Sequence, residues 1–142
     1  MPELPEVEIT RRGISPHLIG VGIRDVIVRN HRLRHPVSKT LDQIIGDRFT
    51  DVRRRAKYLI LDLENGGSLI IHLGMSGSLR LVDPAIELKK HDHVILDLSN
   101  GKQLRFHDPR RFGIFLHLPK EDPLKHRLLS KLGPEPLDDE FT

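Results

Sequence analysis

The chain opens MPELPEVE, which sets a proline at position 2 behind the initiator methionine and carboxylates at Glu3, Glu6 and Glu8. A small second residue permits removal of Met1, and the terminus then exposed is a secondary amine. An α-amino group titrates at about 7.7 to 8 in unperturbed peptides, so near neutral pH an appreciable fraction is free-base nucleophile. A lysine needs a strong pKa shift to match that. The same residues are also ordinary helix-start chemistry, with proline in the first turn and carboxylates at the positive end of the helix dipole. On these eight residues alone both readings stay open.

Further along, Arg53, Arg54, Arg55 and Lys57 form the densest basic cluster. In a strand, Arg53, Arg55 and Lys57 share one face, which reads either as a charged edge that blunts sheet aggregation or as a phosphate grip. Lys57 falls in step with Leu59, Leu61 and Leu63, so it is expected at the rim of the packed interior. His72 ends an apolar run beside the tight segment LGMSGS, placed either as a core-edge histidine or as a donor to a backbone phosphate. His91, His93 and His107 invite a metal reading, but the spacing fixes no third ligand.

Met75, between two glycines, and Phe112, beside Arg110 and Arg111, are large apolar side chains in polar loops. Apolar wedges with arginine are the equipment for entering a base stack, where unstacking costs a few kcal/mol per step. Folding back into the domain's own core is the equal alternative.

These residues need a frame. Val7, Ile9, Ile14 and Leu18 mark an amphipathic helix that Gly13 and Pro16 are placed to interrupt. A β-branched strand follows at 23–28, then a basic loop, NHRLRHP, at 30–36. Ser38 caps a short helical stretch carrying Leu41, Ile44 and Ile45, which Gly46 ends. Residues 48–56 and 57–63 read as one long strand or two with a bend, and Asn65-Gly66-Gly67 turns the chain into a partner at 68–73. Strands at 79–82, 93–98, 103–107 and 112–118 follow, with a hairpin at Asn100-Gly101 and a charged connection at 83–90. Leu124, Leu128, Leu129 and Leu132 are spaced for a helix, which GPEPL stops. Glycine hairpins, no parallel βαβ rhythm and a helix at each end give a mainly β (α+β) fold: an antiparallel β-sandwich flanked by an N-terminal and a C-terminal α-helix.

At 142 residues the chain is the size of one domain. Lys+Arg at 23 against Asp+Glu at 20 leaves a net charge of +3, a weak pointer to a polyanion that nine histidines strengthen below neutral pH. Cysteine is absent, which excludes disulfides and cysteine-ligated zinc within these residues. With no signal peptide and no run of about eighteen apolar residues, a soluble cytoplasmic protein with no membrane partner is expected. Lacking Trp and having one Tyr, the chain has no stacking platform for several single-stranded bases.

Five motifs, MPELPEVE, RRRAKYL, IHLGMSGSLR, KHDHV and DPRRFG, in this order and spacing, make the chain resemble formamidopyrimidine-DNA glycosylase, the bacterial family that excises oxidised purines such as 8-oxoguanine. The likeness runs through GPEPL. It implies that Pro2 attacks the sugar C1′ to form a Schiff base, that Glu3 is the acid/base group, that Glu6 supports them, and that Lys57 is a proton donor near the damaged nucleotide's phosphate. His72, His91 and Arg110 match DNA-backbone contacts. Met75, Arg110 and Phe112 match the side chains that fill the void left by the flipped nucleotide. The implied partner is double-stranded DNA holding oxidised purines or abasic sites, met by a monomer in the cytoplasm at the nucleoid.

The related endonuclease VIII branch, which acts on oxidised pyrimidines, starts PEGPE and groups its intercalating residues on one loop; here the start is PELPE and Met75 is far from Arg110 and Phe112. The resemblance divides the chain into a catalytic N-terminal domain over 1–132 and the start of an interdomain linker over 133–142. Helix-two-turn-helix and zinc-finger domains are expected beyond it, with the zinc there and no cofactor in this chain. It implies that the half-protein alone is inactive or weak. A non-catalytic DNA-binding module and a plain β-sandwich interaction domain are the competing readings.

Overall fold

A computed structural model of the chain describes residues 4–30, 32, 40–65, 67–74 and 77–119. Pro2, Glu3, Met75, Ser38, most of the 30–36 loop, the C-terminal helix and the 133–142 linker lie outside the described residues. Helix α1 spans Leu4–Leu18. Its buried positions, Val7, Glu8, Ile14 and Leu18, recur at helical spacing and form one stripe. Ile9, grouped with them by the sequence pattern, points away and is 69% exposed, because two residues along a helix turn a side chain to nearly the opposite side. Gly13 and Pro16 do not interrupt the helix. Pro16 falls in the last turn, where its ring removes the hydrogen bond to the carbonyl of Arg12 and few turns remain to disturb. The chain then leaves through Gly20 at φ +85°, whose N–H donates to the Phe49 carbonyl at 2.7 Å.

Eight strands follow: β1 Ile23–Val28, β2 Phe49–Arg55, β3 Tyr58–Leu63, β4 Ser68–His72, β5 Ser78–Val82, β6 Asp92–Leu98, β7 Gln103–His107 and β8 Ile114–Leu118. They pair antiparallel in two four-stranded sheets, β1-β6-β7-β5 and β2-β3-β4-β8, as the sandwich reading expects. Alternate residues face inward. Leu59, Leu61, Leu69, Ile71 and Phe115 of one sheet meet Val94, Leu96, Leu104 and Phe106 of the other, with the rings of Phe106 and Phe115 5.6 Å apart. Burying each such side chain contributes about 1.5–3 kcal/mol.

Three local expectations are corrected. Within the 38–46 stretch the described residues form a single 3-10 turn, Leu41–Ile44, whose N-cap residue is Thr40; its hydroxyl pairs with His117 Nδ1 at 3.0 Å and makes no cap bond. Residues 48–63 are two strands joined by the two-residue turn Ala56-Lys57, with Ala56 at φ 52°, so Lys57 sits in the turn and not on the strand face of Leu59. The last strand starts at Ile114, since Gly113 is held in the preceding loop by Asp108.

Arg105 lies outward on β7 yet is 1% exposed. Its guanidinium donates to Gln103 Oε1 and to the carbonyls of Ile86 (2.8 Å), Pro84 and Glu87, which pins the 83–90 connector over the sheet. Arg105→Ala leaves those oxygens without their donor, at about 1.5–3 kcal/mol for a charged hydrogen-bond partner. The expected outcome is a lower denaturation midpoint together with faster amide exchange across the connector; unchanged exchange at Ile86 would contradict the clamp.

Candidate nucleic-acid interface

Strand pairing collects the candidate residues at one end of the sandwich. Tyr58 pairs with His72 and His72 with Ile114; Ser78 pairs with His107 and His107 with Asp92; Val28 pairs with Val94. The Ala56-Lys57 turn, the loop after His72, the connector before Asp92, the 108–113 loop and the segment after β1 therefore share that end. Arg29, Arg32, Lys57, His72, Lys90, His91, Arg110 and Arg111 stand on these connections. Helix α1 is fastened nearby through Glu8, which accepts from Arg54 Nε at 3.0 Å, while Arg54 also donates to the Ala56 carbonyl.

Glu6 is exposed in the first turn of α1. Lys57 is half-buried in its turn, and strand pairing sets the next residue, Tyr58, opposite His72. His72 is buried against Tyr58, ring centroids 4.9 Å apart, and its Nδ1 accepts the Gly74 N–H at 2.9 Å. With Nδ1 an acceptor, the neutral ring carries its proton on Nε2 as a donor. Phe112 does not fold back into the core: it is 48% exposed, with the Arg110 guanidinium 5.6 Å from its ring centroid. Such a cation–π contact holds both side chains in one projecting unit.

His91 lies just before β6 and not on its face. Its ring stands 5.9 Å from that of His93 and 6.1 Å from that of His107, next to a β-bulge between Asp92 and Val94. His93 Nε2 donates to the Asp108 carbonyl and His107 Nδ1 to Asp92 Oδ1. Among the described residues no three potential ligands gather to hold a metal ion.

Several residues that build this end lie within the motifs but carry no role in the sequence reading. Asp108 is fully buried; its carboxylate accepts the amides of Arg111 at 3.1 Å and Gly113 at 2.7 Å, shaping the loop that carries Arg110 and Phe112. The Asp-Pro pair, a turn-initiating signal, could have revealed it. Asp92, also fully buried, accepts from the Lys89 amide, His107 and Arg80, and its carboxyl is held below the usual range by those bonds against the opposing effect of burial. Within the basic cluster Arg53 pairs with Asp62 and Arg54 with Glu8, so the cluster is in part scaffold.

Residues 1–115 match the family described as formamidopyrimidine-DNA glycosylase N-terminal domain. A formamidopyrimidine-DNA glycosylase of Shewanella pealeana is 57% identical over 143 residues, covering 99% of this chain and 51% of that protein. One of Aliivibrio fischeri is 55% identical over 141 residues, covering 99% and 51%. The fold superposes on Lactococcus lactis Fpg (MutM) in complex with DNA containing N7-benzyl-Fapy-dG, at TM-score 0.84 and 31% identity over 94% of this chain and 49% of that one. Thermus thermophilus MutM gives 0.79 at 40% identity over 99% and 49%. The chain spans about half the length of the curated relatives it matches. With the matched domain covering both sheets and the loops gathered at their common end, the chain belongs to the formamidopyrimidine-DNA glycosylase N-terminal domain family.

Proposed function

We propose that this chain is the N-terminal catalytic half of a base-excision-repair DNA glycosylase that removes oxidised purines from double-stranded DNA and cleaves the resulting abasic site. The observation that carries this reading is the convergence of Lys57, His72, His91 and Arg110 at one end of the sandwich, next to helix α1, which Pro2 and Glu3 directly precede in sequence. Solved relatives with this fold are complexes with lesion-containing DNA.

The Pro2 amine attacks the sugar C1′; the new C–N bond replaces the bond to the base, which leaves. Glu3 transfers the protons needed for sugar-ring opening to the iminium. The iminium acidifies the C2′ hydrogen, and its loss expels the 3′ phosphate. Glu6 supports Glu3, and Lys57 serves as proton donor by the damaged nucleotide's phosphate. His72 offers its Nε2 proton to the DNA backbone, and His91 and Arg110 add further contacts. Met75, Arg110 and Phe112 occupy the space of the flipped nucleotide, where a 48% exposed aromatic under a guanidinium suits insertion into a stack. The zinc implied for the family's C-terminal half has no fit here, because this chain has no cysteine, so no step depends on it.

The test is borohydride trapping on a duplex with 8-oxoguanine or an abasic site, using the chain restored to the length of its relatives with a free Pro2 terminus. A covalent adduct is expected, and Pro2→Gly is expected to lose it while duplex binding persists. Glu3→Gln should slow trapping on the order of 10²-fold. Absence of an adduct from a protein whose intact mass proves removal of Met1 would overturn the reading, as would a Pro2→Gly protein that traps equally well.

A further inference from the structure

Arg54 falls in step with Val52 of the core along β2, and its side chain is only 4% exposed. Its guanidinium donates in two directions. Nε reaches Glu8 Oε1 of helix α1 at 3.0 Å, and Nη1 reaches the carbonyl of Ala56 at 3.0 Å. The first bond holds the helix that Pro2 and Glu3 directly precede in sequence; the second holds the turn that carries Lys57.

The bond to Ala56 acts on Lys57 directly. The Ala56 carbonyl and the Lys57 nitrogen belong to one planar peptide, so fixing that oxygen orients the backbone at Lys57. Ala56 itself stands at φ 52°, a conformation that a residue with a Cβ keeps only where its surroundings impose it. Arg54 supplies that constraint from the buried side.

The neighbouring arginines do not duplicate it. Arg53 alternates to the other face of β2, where its Nε and Nη2 both engage Asp62. Arg11 and Arg12 bind Glu8 too, but they belong to α1 and form no tie between helix and turn. A lysine in place of Arg54 offers a point charge, whereas the planar fork serves two acceptors at set angles. We propose that Arg54 is a positioning residue, one buried guanidinium that sets helix α1 and the Lys57 turn at a single relative placement, so that nucleophile and proton donor meet the same nucleotide. This rests on the repair reading above and adds to it a residue that acts only through others.

Arg54→Met separates this role from folding, because Glu8 keeps its bonds from Arg11 and Arg12 and is not left as an uncompensated buried charge. The experiment uses the chain restored to the length of its relatives with a free Pro2 terminus, in excess over a duplex bearing 8-oxoguanine. Single-turnover strand cleavage is followed at a temperature where circular dichroism shows each variant folded. Arg54→Met is expected to slow cleavage on the order of 10²-fold, the effect of a misplacement of about 1 Å, with affinity for a tetrahydrofuran-bearing duplex retained. Arg54→Lys should stay close to Arg54→Met. Ala56→Gly, neutral by itself, should return about tenfold in the Arg54→Met background, since glycine takes the left-handed turn without penalty. A role confined to packing predicts no such recovery.

Native cleavage by Arg54→Met or Arg54→Lys overturns the inference and leaves the repair reading in place. So does a fall in duplex affinity that matches the fall in rate, or the absence of recovery with Ala56→Gly. No cleavage by the unmodified protein overturns both.

Discussion

Replacing Glu8 with alanine is expected to destabilise the fold by about 3–5 kcal/mol, the range for removing one partner of a buried ion pair. Glu8 is 2% exposed and accepts from Arg11 at 2.6 and 2.8 Å, from Arg12 at 2.8 Å and from Arg54 at 3.0 Å. Arg11 and Arg12 can turn to water, but the Arg54 side chain is 4% exposed and would lose its carboxylate partner while staying buried. A urea midpoint equal to that of the unmodified chain would contradict this.

The same cluster sets an acid limit. Hydrogen bonding from Arg11, opposed by burial and joined by Arg54 and Arg12, pulls the Glu8 carboxyl from 4.5 down to about 2. A depressed carboxylate pKa gives stability that is fully present above about 4.5 and is lost as pH falls towards 2. With Arg11 and Arg12 partly solvated, that contribution is on the order of 2 kcal/mol. The stability gap between the chain and Glu8→Gln should close across this acid window and stay constant from pH 5 to 7, a range fixed by the same linkage. Because Glu8 joins α1 to the hairpin bearing Lys57, its loss should also impair trapping at Pro2 more than it impairs duplex binding.

Gly113→Ala is expected to cost roughly 3 kcal/mol by overpacking. A Cβ there would stand 2.7 Å from Asp108 Oδ2, from the His72 carbonyl oxygen and from Phe106 Cζ. The first is the acceptor that shapes the 108–113 loop, the second is backbone of a central strand, and the third is core; none is the free end of a flexible chain. A fall in melting temperature with weaker duplex affinity is the expected pair of results. A variant with native affinity and native stability would mean that this loop repacks freely.

Much of the frame was readable from alternation and turns. β1 and β7 run over the residues their patterns mark, and the glycine hairpins fall where two antiparallel strands meet. What escaped was polar and buried. Glu8, Asp92, Arg105 and Asp108 are each enclosed because partners distant in sequence satisfy them, and periodicity treats any charge as a surface residue. The Glu8–Arg11–Arg12 spacing was visible on one helix, but Arg54 arrives from 46 positions along the chain. Lys57 was misplaced for a smaller reason: two residues of turn between strands of similar composition look like continued strand.

The glycine contact between the loops after β4 and β7 has a mechanical consequence. A Cβ on Gly74 would stand 2.8 Å from the Gly113 amide nitrogen, so the two backbones ride against each other with no side chain between them. Residues 75 and 112 each follow or precede this contact by one position. A force met by the loop that carries Phe112 is therefore passed to the backbone at Gly74 through stiff main chain, with no compliant side chain to absorb it. On the role proposed for them, residues 75 and 112 would behave as the prongs of one fork, advancing and withdrawing together.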